Sequence, residues 1–216
     1  MSDRIPVAII TTKDLGFVKK RVPFAHAFSS ICGLELQIGD TLCVDKRAMK
    51  KVALVNMAYR EGLRVAEMHN DIILEKKTTS DGDLLAFCVD WRMSRNWADS
   101  RRIVKPFLTH CRELGLYVAE LDYNPFVDVY VIKVDKGTAF VKLKSELGLS
   151  GPIMYLGDSE FDNPAFGLAD VPIGITHRGI SHNLLIKYHM EFDKLEAFFS
   201  SLLASNLNFV PSMVKE

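Results

Sequence analysis

The sequence predicts an α/β protein in which a Rossmann-like parallel sheet is interrupted by an inserted α+β domain. Residues 131–216 alternate between helical and extended patterns, as parallel α/β sheets do. The β-branched run at 5–10 suits a strand buried on both faces, and residues 46–130 read mainly as antiparallel strands with helices between them. We therefore expect a core domain at 1–45 and 131–216 and a second domain at 46–130.

The chain begins with a strand, a loop and a helix in that order. The apolar run at 5–10 ends abruptly in the polar residues 11–14. From 14 to about 31 apolar residues recur at helical spacing, with Pro23 as an interruption. Two extended runs within 35–44, separated by a Gly-Asp pair, then predict a hairpin.

The rest of the chain divides into two patterns. The middle predicts, in order, a helix at 47–59, strands at 71–76 and 84–91, a helix at 99–114 and strands at 117–121 and 127–134. The last part predicts helix 136–147, strand 153–157, helix 161–168, strand 171–175 and terminal helices. The two ends of the chain are therefore expected to form one domain that the middle interrupts.

The composition argues against several classes of partner. Lys plus Arg and Asp plus Glu both number 27, so no net positive charge favours nucleic acid. Cys32, Cys43, Cys88 and Cys111 lack metal-binding spacing, and we expect them to be buried, reduced thiols. No stretch approaches the roughly 20 apolar residues that span a bilayer. We expect a cytoplasmic protein without a membrane partner.

The strongest chemical pattern is an acidic loop at the end of a predicted strand. The apolar run at 153–156 leads into Gly157 and Asp158, and Asp162 follows four residues later. Because the carboxyl ends of strands in an α/β sheet face the ligand crevice, the two carboxylates are placed where oxygen ligands could hold a hard cation. The alternative is that Asp158 starts a turn and Asp162 caps the next helix.

A second pattern places a lysine at the start of a helix. The strand at 131–134 runs into Asp135, Lys136 and Gly137 and then directly into a predicted helix. A lysine ammonium beside the free amides of a helix N-terminus suits a phosphoryl group. The alternative is an ordinary solvated lysine.

Both patterns resemble signatures of the haloacid dehalogenase (HAD) superfamily of phosphatases. Residues 153–166 resemble its fourth signature, an apolar strand followed by Gly-Asp-Ser-x-x-Asp-Asn-x-x-Phe, and 169–175 continue the resemblance. Residues 131–140 resemble the third signature, and Lys136 precedes Asp158 by 22 residues, across one helix and one strand as in the superfamily. The resemblance covers the whole chain and implies a HAD-like core.

The resemblance also implies a role for individual residues. Lys136 would clamp the phosphoryl group, Asp158 would bind Mg²⁺, and Asp162 would lie beside them and support or ligate the metal. Thr11 matches the Ser/Thr of the second signature, whose hydroxyl and amide bind phosphoryl oxygens. The Thr12-Lys13 pair departs from the Gly-Arg that often follows this residue, which weakens the last assignment.

By the same resemblance, residues 46–130 correspond to the large cap of the branch that contains sucrose-phosphate, mannosyl-phosphoglycerate and phosphoglycolate phosphatases. In that branch the cap closes over the leaving group. Arg92, Arg95, Trp97 and Asn124 are therefore candidate substrate-binding residues. The alternative is that they are exposed loop residues with a packed tryptophan.

One expected motif is absent from the sequence. Superfamily members begin with a strand ending in Asp-x-Asp-Gly-Thr, whose first Asp forms an aspartyl phosphate and whose second is the general acid and base. The sole Asp-x-Asp here, at 81–83, follows polar residues and predicts a hairpin turn. We expect that the core lacks its N-terminal strand. The cause would be a misplaced start, a split gene or a true loss of the motif. Its exposed sheet edge would favour a homodimer or a chain that supplies the missing strand.

Two functions from different classes follow. The first is a magnesium-dependent phosphomonoester hydrolase that acts on a small phosphorylated metabolite, either a sugar phosphate or a phosphoglycolate-like compound, with its nucleophile absent from this chain. The second is a catalytically inactive HAD-fold binding or partner protein. A generic α/β sugar or nucleotide binder would require both signatures to be accidental.

Overall fold

The computed structural model describes residues 6–177 and 183–214, and the strands in this part of the chain form three sheets. The strands are β1 (Ala8–Ile10), β2 (Ala27–Ser30), β3 (Glu35–Ile38), β4 (Thr41–Val44), β5 (Ile73–Thr78), β6 (Leu84–Asp90), β7 (Tyr117–Ala119), β8 (Phe126–Tyr130), β9 (Met154–Gly157), β10 (Val171–Thr176) and β11 (Tyr188–Glu191). The helices are α1 (Leu15–Arg21), α2 (Lys46–Met49), α3 (Val52–Met68), α4 (Trp97–Glu113), α5 (Lys136–Glu146), α6 (Asn163–Phe166) and α7 (Leu195–Ala204). Ile5 of the first predicted strand and the ends of the predicted core domain lie outside the described residues.

The α/β prediction is confirmed by two groups of parallel strands. Strand β1 pairs in parallel with β2, and β10 pairs in parallel with both β9 and β11. Helix α5 lies against both groups, because Ile10 of β1 and Tyr155 of β9 pack in one cluster with Phe140 of the helix. The two parallel groups therefore rest on a common helix.

The predicted helix from 14 to about 31 is wrong in its second half. Helix α1 begins after Asp14, whose Oδ1 accepts a hydrogen bond from the Phe17 amide at 2.8 Å, and it ends before Pro23. Residues 27–30 instead form β2, which is paired on both sides, with β1 and with β3. Pairing with distant strands overrides the local apolar spacing.

The predicted hairpin at 35–44 is confirmed. Strands β3 and β4 pair in antiparallel register, and Gly39 between them adopts a φ of 54°. The turn at 81–83 is also confirmed, because the Thr79 amide donates to the Asp83 carbonyl at 2.9 Å. Near the C-terminus, β11 was not predicted, and the expected helix at 161–168 is a 3₁₀ turn followed by the single-turn helix α6.

Residues 73–130 contain a separate antiparallel sheet with the order β5-β6-β8-β7. One face packs on α3 and α4 through a large apolar cluster. The same cluster includes Ile31 and Leu34 from the first part of the chain. The assignment of 46–130 to a cap domain stays a prediction, since this core is continuous across the proposed boundary.

The turn after β2 carries unusual backbone geometry. Ile31, Cys32 and Gly33 have φ values of 48°, 53° and 89°. A β-branched residue rarely adopts positive φ, and each such residue costs about 1–3 kcal/mol. In return, the amides of Ile31 and Cys32 donate to the carbonyls of Lys13 and Thr11 at 2.9 and 2.8 Å. The strained turn therefore fixes the loop that follows β1.

The thiol prediction holds for three cysteines and is wrong for one. Cys32, Cys88 and Cys111 are free and buried, whereas Cys43 is free and exposed because it lies on the edge strand β4. Burial raises the pKa of Cys111 to about 12, with a smaller contribution from Glu61, so this thiol is unreactive at neutral pH. In residues 6–177 and 183–214, none of the helices combines the length and the apolar character needed to cross a bilayer.

Candidate active site

A pocket of about 380 Å³ lies where the carboxyl ends of β1 and β9 meet strand β8. Its lining residues are Thr11, Thr12, Tyr123, Asn124, Phe126, Asp128, Lys136, Asp158, Ser159 and Phe161. A larger groove of about 790 Å³ between α5 and α6 is open and contains none of the predicted site residues. Ligands of α/β sheets bind outside the carboxyl ends of the strands, and the smaller pocket has that position.

Lys136 and Asp162 form a buried ion pair at the base of this pocket. The Lys136 Nζ lies 2.6 Å from Asp162 Oδ1, and the two side chains are 12% and 2% exposed. Lys136 is the first residue of α5, whose N-cap Asp135 accepts a hydrogen bond from the Thr138 amide at 2.7 Å. The lysine is thereby fixed at a helix N-terminus, where amide dipoles add to its positive charge.

Both carboxylate oxygens of Asp162 are used within the protein. Oδ1 also accepts from the Tyr155 hydroxyl at 2.6 Å, and Oδ2 accepts from the Ser159 hydroxyl at 3.0 Å and from two loop amides. Burial alone would raise the pKa of Asp162, but the charge of Lys136 and hydrogen bonds from Lys136, Tyr155 and Ser159 outweigh it and hold the pKa below its usual value. Asp162 is therefore ionised and serves to orient Lys136.

Gly157 makes this arrangement possible. A Cβ on Gly157 would lie 2.5 Å from the Asp162 carboxyl carbon, closer than any side chain tolerates. Asp162 thus packs directly on the backbone of the strand end. The Gly-Asp pattern noted in the sequence has a steric cause at this position.

Asp158 is the carboxylate that fits a cation. It is exposed at the end of β9, lines the pocket, and has no polar side-chain partner among the described residues. Carboxylate oxygen is the donor that Mg²⁺ prefers, but the described residues contain no group of three or more acidic, His or Cys side chains that could hold a metal. Direct ligation by Asp162 stays a prediction, and its occupied oxygens favour the supporting role.

Thr11 lies in the pocket, but part of its expected role is not available. Its amide donates to the Ser29 carbonyl at 3.0 Å, so it cannot also bind a phosphoryl oxygen. Its hydroxyl oxygen accepts from the Lys13 amide at 3.1 Å, which leaves the hydroxyl proton free to donate. The prediction that the Thr11 amide contributes is therefore corrected, and the hydroxyl remains.

Lys13 connects the loop after β1 to the sheet at 73–130, although it does not line the pocket. Its Nζ donates to both carboxylate oxygens of Glu75 on β5 at 2.8 and 2.7 Å. The departure from Gly-Arg at this position therefore coincides with a bidentate contact between the loop after β1 and the sheet at 73–130. Sequence reasoning did not identify Glu75.

Of the four predicted substrate-binding residues, Asn124 lines the pocket and the other three do not. Arg92 pairs with Asp90 at 2.5 Å and lies over the ring of Phe126 at 5.5 Å. Arg95 and Trp97 are exposed beside the start of α4. Arg92 therefore contacts the site indirectly, by packing on a lining residue.

Asp128 is the main lining residue that the sequence did not reveal. It is 3% exposed and lies on β8, which was predicted as an ordinary strand. Lys77 Nζ lies 2.5 Å from Asp128 Oδ1, and the Tyr130 hydroxyl donates to Oδ2 at 3.0 Å. The available signal was a single acid within the Phe-Val-Asp-Val-Tyr alternation, on the face opposite the two valines.

Solved structures of phosphatases share this fold. A trehalose-6-phosphate phosphatase related protein aligns over 94% of this chain and 84% of its own, with a TM-score of 0.73 and 14% identity. The C-terminal domain of the C. albicans trehalose-6-phosphate phosphatase aligns over 93% and 78%, with a TM-score of 0.66 and 15% identity. A HAD subclass IIB sugar phosphatase aligns over 94% and 86%, with a TM-score of 0.53 and 10% identity.

These similarities establish that the chain has the α/β fold of HAD superfamily phosphatases. No family model matches the sequence, and no curated protein matches it at a significant level. The fold is therefore retained at identities of 10–15% to these three structures.

Proposed function

We propose that this chain, which has the fold of HAD superfamily phosphatases, forms the site of a magnesium-dependent phosphomonoester hydrolase that acts on a small phosphorylated metabolite. The observation that carries the proposal is the convergence of Thr11, Lys136 and Asp158 in one pocket at the carboxyl ends of two parallel strands. A hydroxyl donor, a fixed ammonium and a free carboxylate are the groups that grip a phosphoryl oxygen and hold its counter-cation. The names of the similar structures support a phosphorylated sugar as substrate.

Each residue has a separate task in this proposal. Lys136, oriented by Asp162, binds one phosphoryl oxygen, and the Thr11 hydroxyl donates to another. Asp158 would hold Mg²⁺, which would neutralise charge on the phosphoryl group as the ester bond breaks. The tight Lys136–Asp162 pair positions the ammonium before substrate binds, so little reorganisation is needed.

The nucleophile has to come from outside these residues. Asp128 and Asp158 are the two carboxylates among the described lining residues, and the first is held by Lys77 whereas the second is assigned to the metal. Strands β1 and β9 are each at the edge of their sheet, rest on the same helix and end at the pocket. We propose that a parallel strand from another polypeptide segment pairs with these edges and brings a carboxylate to the phosphoryl group.

A catalytically inactive binding protein is the second candidate. It is favoured by the sequence, which contains no Asp-x-Asp-Gly-Thr. In this case Lys136 and Thr11 would bind a phosphorylated ligand without cleaving it. The two candidates make the same prediction for phosphate binding and opposite predictions for turnover.

The test is phosphate release from a panel of sugar phosphates, with and without Mg²⁺, by this chain and by Asp158→Asn. A short apolar peptide ending in Asp-x-Asp is added in half of the reactions, and its Asn-x-Asn counterpart is the matched control. Turnover that needs Mg²⁺, Asp158 and the acidic peptide supports both the hydrolase and the strand proposal. Phosphate binding without turnover in any reaction would support the binding protein.

A further inference from the structure

Strand β4 is an open edge of the first sheet. The sheet has the order β1-β2-β3-β4, so β4 pairs with β3 and with no other strand in residues 6–177 and 183–214. Thr41, Leu42 and Cys43 are exposed, and Val44 is half-buried. The backbone groups on the outer side of β4 are therefore accessible to another strand.

The outer edges of the other sheets differ from β4 in length or in charge. Strand β5 carries Glu75, Lys76 and Lys77 and loses its regular register after Lys77, β7 has three residues, and β11 ends in Glu191. Charges, irregular register and short length are features by which proteins prevent sheet edges from pairing. Strand β4 contains neither a charged residue nor a proline. Strands β1 and β9 face the gap assigned above to an added strand, so β4 is the unprotected outer edge of the described part of the chain.

The ladder between β3 and β4 shows which backbone groups of β4 are free. The Asp45 amide donates to the Leu34 carbonyl at 2.8 Å. In an antiparallel ladder, residues that bond to the neighbouring strand alternate with residues whose N–H and C=O groups point away from it. Asp45 and Cys43 therefore bond towards β3, whereas Leu42 and Val44 direct their N–H and C=O groups to the open side.

A second copy of β4 matches these groups. In an antiparallel pair with Leu42 of one copy opposite Val44 of the other, the two residues exchange both of their N–H···O=C bonds. A twofold axis repeats this pair, so the outward groups of Leu42 and Val44 are all used in both copies. Cys43 lies between the two bonded pairs and faces Cys43 of the second copy on the axis.

The same register also matches charges at the ends of the strands. Asp40 and Lys46 each lie three residues from Cys43, so Asp40 of one copy comes opposite Lys46 of the other. Both residues are exposed, and the symmetry repeats the contact at the other end. A register shifted by two residues loses these contacts, because Asp40 then faces Val44 or Lys46 faces Leu42. Hydrogen bonding and charge therefore select the same register.

We propose that two copies of this chain associate through antiparallel pairing of their β4 strands about a twofold axis at Cys43. The two four-stranded sheets then form one continuous sheet, and Leu42, which is 39% exposed, packs against Val44 of the other copy. The association does not depend on the phosphoryl site, because β4 and β1 lie at opposite edges of the same sheet. The interface is small, since two four-residue strands supply most of it, and we expect a dimer that dissociates on dilution.

The first experiment is sedimentation velocity of the full chain under reducing conditions, at protein concentrations from about 1 to about 500 µM. The wild type is expected to shift from monomer to dimer within this range. Leu42→Lys puts a charge on the open edge in both copies and is expected to raise the dissociation constant at least about tenfold. Ile73→Lys is the matched control, because Ile73 is an exposed aliphatic residue on the edge strand β5, and it should leave association unchanged.

Exchanging the charges at the strand ends tests the register. Lys46→Asp places a second carboxylate opposite Asp40 and is expected to weaken the dimer. Asp40→Lys/Lys46→Asp restores opposite charges between the copies and should recover the association of the wild type. A double variant that dimerises as weakly as Lys46→Asp overturns the proposed register.

The thiol of Cys43 gives an independent test of the axis. Residue pairs that lie between the bonded pairs of antiparallel strands have Cα atoms about 4.5 Å apart, within the range of about 4.4–6.8 Å that a disulfide spans. Oxidised glutathione should therefore link the two copies. Two Cys43 thiols lose two protons and two electrons as their sulfurs bond, and glutathione disulfide takes them up to give two glutathione thiols. Cys32, Cys88 and Cys111 are buried, and Cys43→Ser is the control.

The outcomes distinguish β4 from other surfaces of the chain. A wild type that stays monomeric at the highest concentration overturns the proposal, and so does a dimer that Leu42→Lys leaves intact, because such a dimer uses another surface. A dimer that oxidised glutathione does not link through Cys43 overturns the axis. Loss of the link in Leu42→Lys, which retains Cys43, supports it. None of these measurements involves phosphate, so their failure leaves the proposed function unaffected.

Discussion

The two buried lysine–carboxylate pairs beside the pocket differ in how their charges are satisfied. Asp162 is held by Lys136, by the Tyr155 hydroxyl and by donors of its own loop, so its partners are many and local. Asp128 is held by Lys77, by the Tyr130 hydroxyl and by the Cys88 thiol on the neighbouring strand, and the lysine reaches it from two strands away. The first pair joins the polar loop after β9 to the start of α5, whereas the second is an isolated charge pair in a packed sheet.

The two ion pairs therefore place a charged side chain at the pocket in two different ways. A carboxylate with five donors tolerates the loss of one, and its lysine is then free to serve a ligand. A carboxylate whose one charged partner is a single lysine depends on that lysine. Perturbing the pairs one at a time should therefore give unequal costs in stability and unequal effects on binding.

The largest effect is expected from Lys77→Met alone. This change leaves Asp128 buried without its cation, and we expect the free energy of unfolding to fall by about 3–5 kcal/mol. Urea unfolding followed by circular dichroism measures it. Because Lys77→Met/Asp128→Leu removes both charges, it should cost much less, and a double variant as unstable as the single one would contradict the isolated-pair description.

The next largest loss of stability is expected from Lys136→Ala. Asp162 keeps its hydrogen bonds from Tyr155 and Ser159, so the expected loss of stability is smaller, about 1.5–3 kcal/mol. Phosphate binding, measured by calorimetry, should be lost. Lys144→Ala, on the last turn of the same helix, is the matched control and should leave both properties unchanged.

Gly157→Ala tests the same pair through sterics. The new methyl group would displace the Asp162 carboxyl, and we expect a cost of about 1–3 kcal/mol together with weaker phosphate binding. Gly151→Ala is the control, because a Cβ there meets no atom within 4 Å. Thermal unfolding measures the stability of both variants. Equal stability of the two would exclude tight packing of Asp162 on Gly157.

The smallest effect on the free energy of unfolding is expected when the pH is lowered. Because the pKa of Asp162 is lowered in the folded protein from the ordinary value of 3.8, its stabilising contribution is present above pH 3.8 and is lost as the pH falls through the lower, folded-state pKa. Comparing the wild type with Asp162→Asn by urea unfolding should show a stability difference at neutral pH that narrows under acid conditions. A difference that stays constant down to acid pH would show that the Asp162 charge is not what stabilises the fold.

The sequence was most informative where function requires residue types at fixed short spacing. The Gly-Asp loop at 157–162 could be located because it follows the apolar strand β9 directly. The lysine at the start of α5 could be located as well, although the strand predicted to reach residue 134 is wrong in its second half: β8 ends at Tyr130, and residues 131–135 form no strand. Asp128 and Lys77 could not be paired in advance, since 51 residues separate them and their contact depends on strand order across β6. Local spacing likewise failed for β2, where long-range pairing decides the conformation.

The strained turn at 31–33 links the two residues proposed to hold the phosphoryl group. It is clamped on one side by the carbonyls of Thr11 and Lys13, and on the other side Gly33 lies so close to Ala139 of α5 that an added Cβ would come within 3.0 Å. The same helix carries Lys136 at its first position. Residues 31–33 therefore act as a stiff mechanical link, so that a shift of α5 along the sheet would move the lysine and pull on the threonine loop in a single motion.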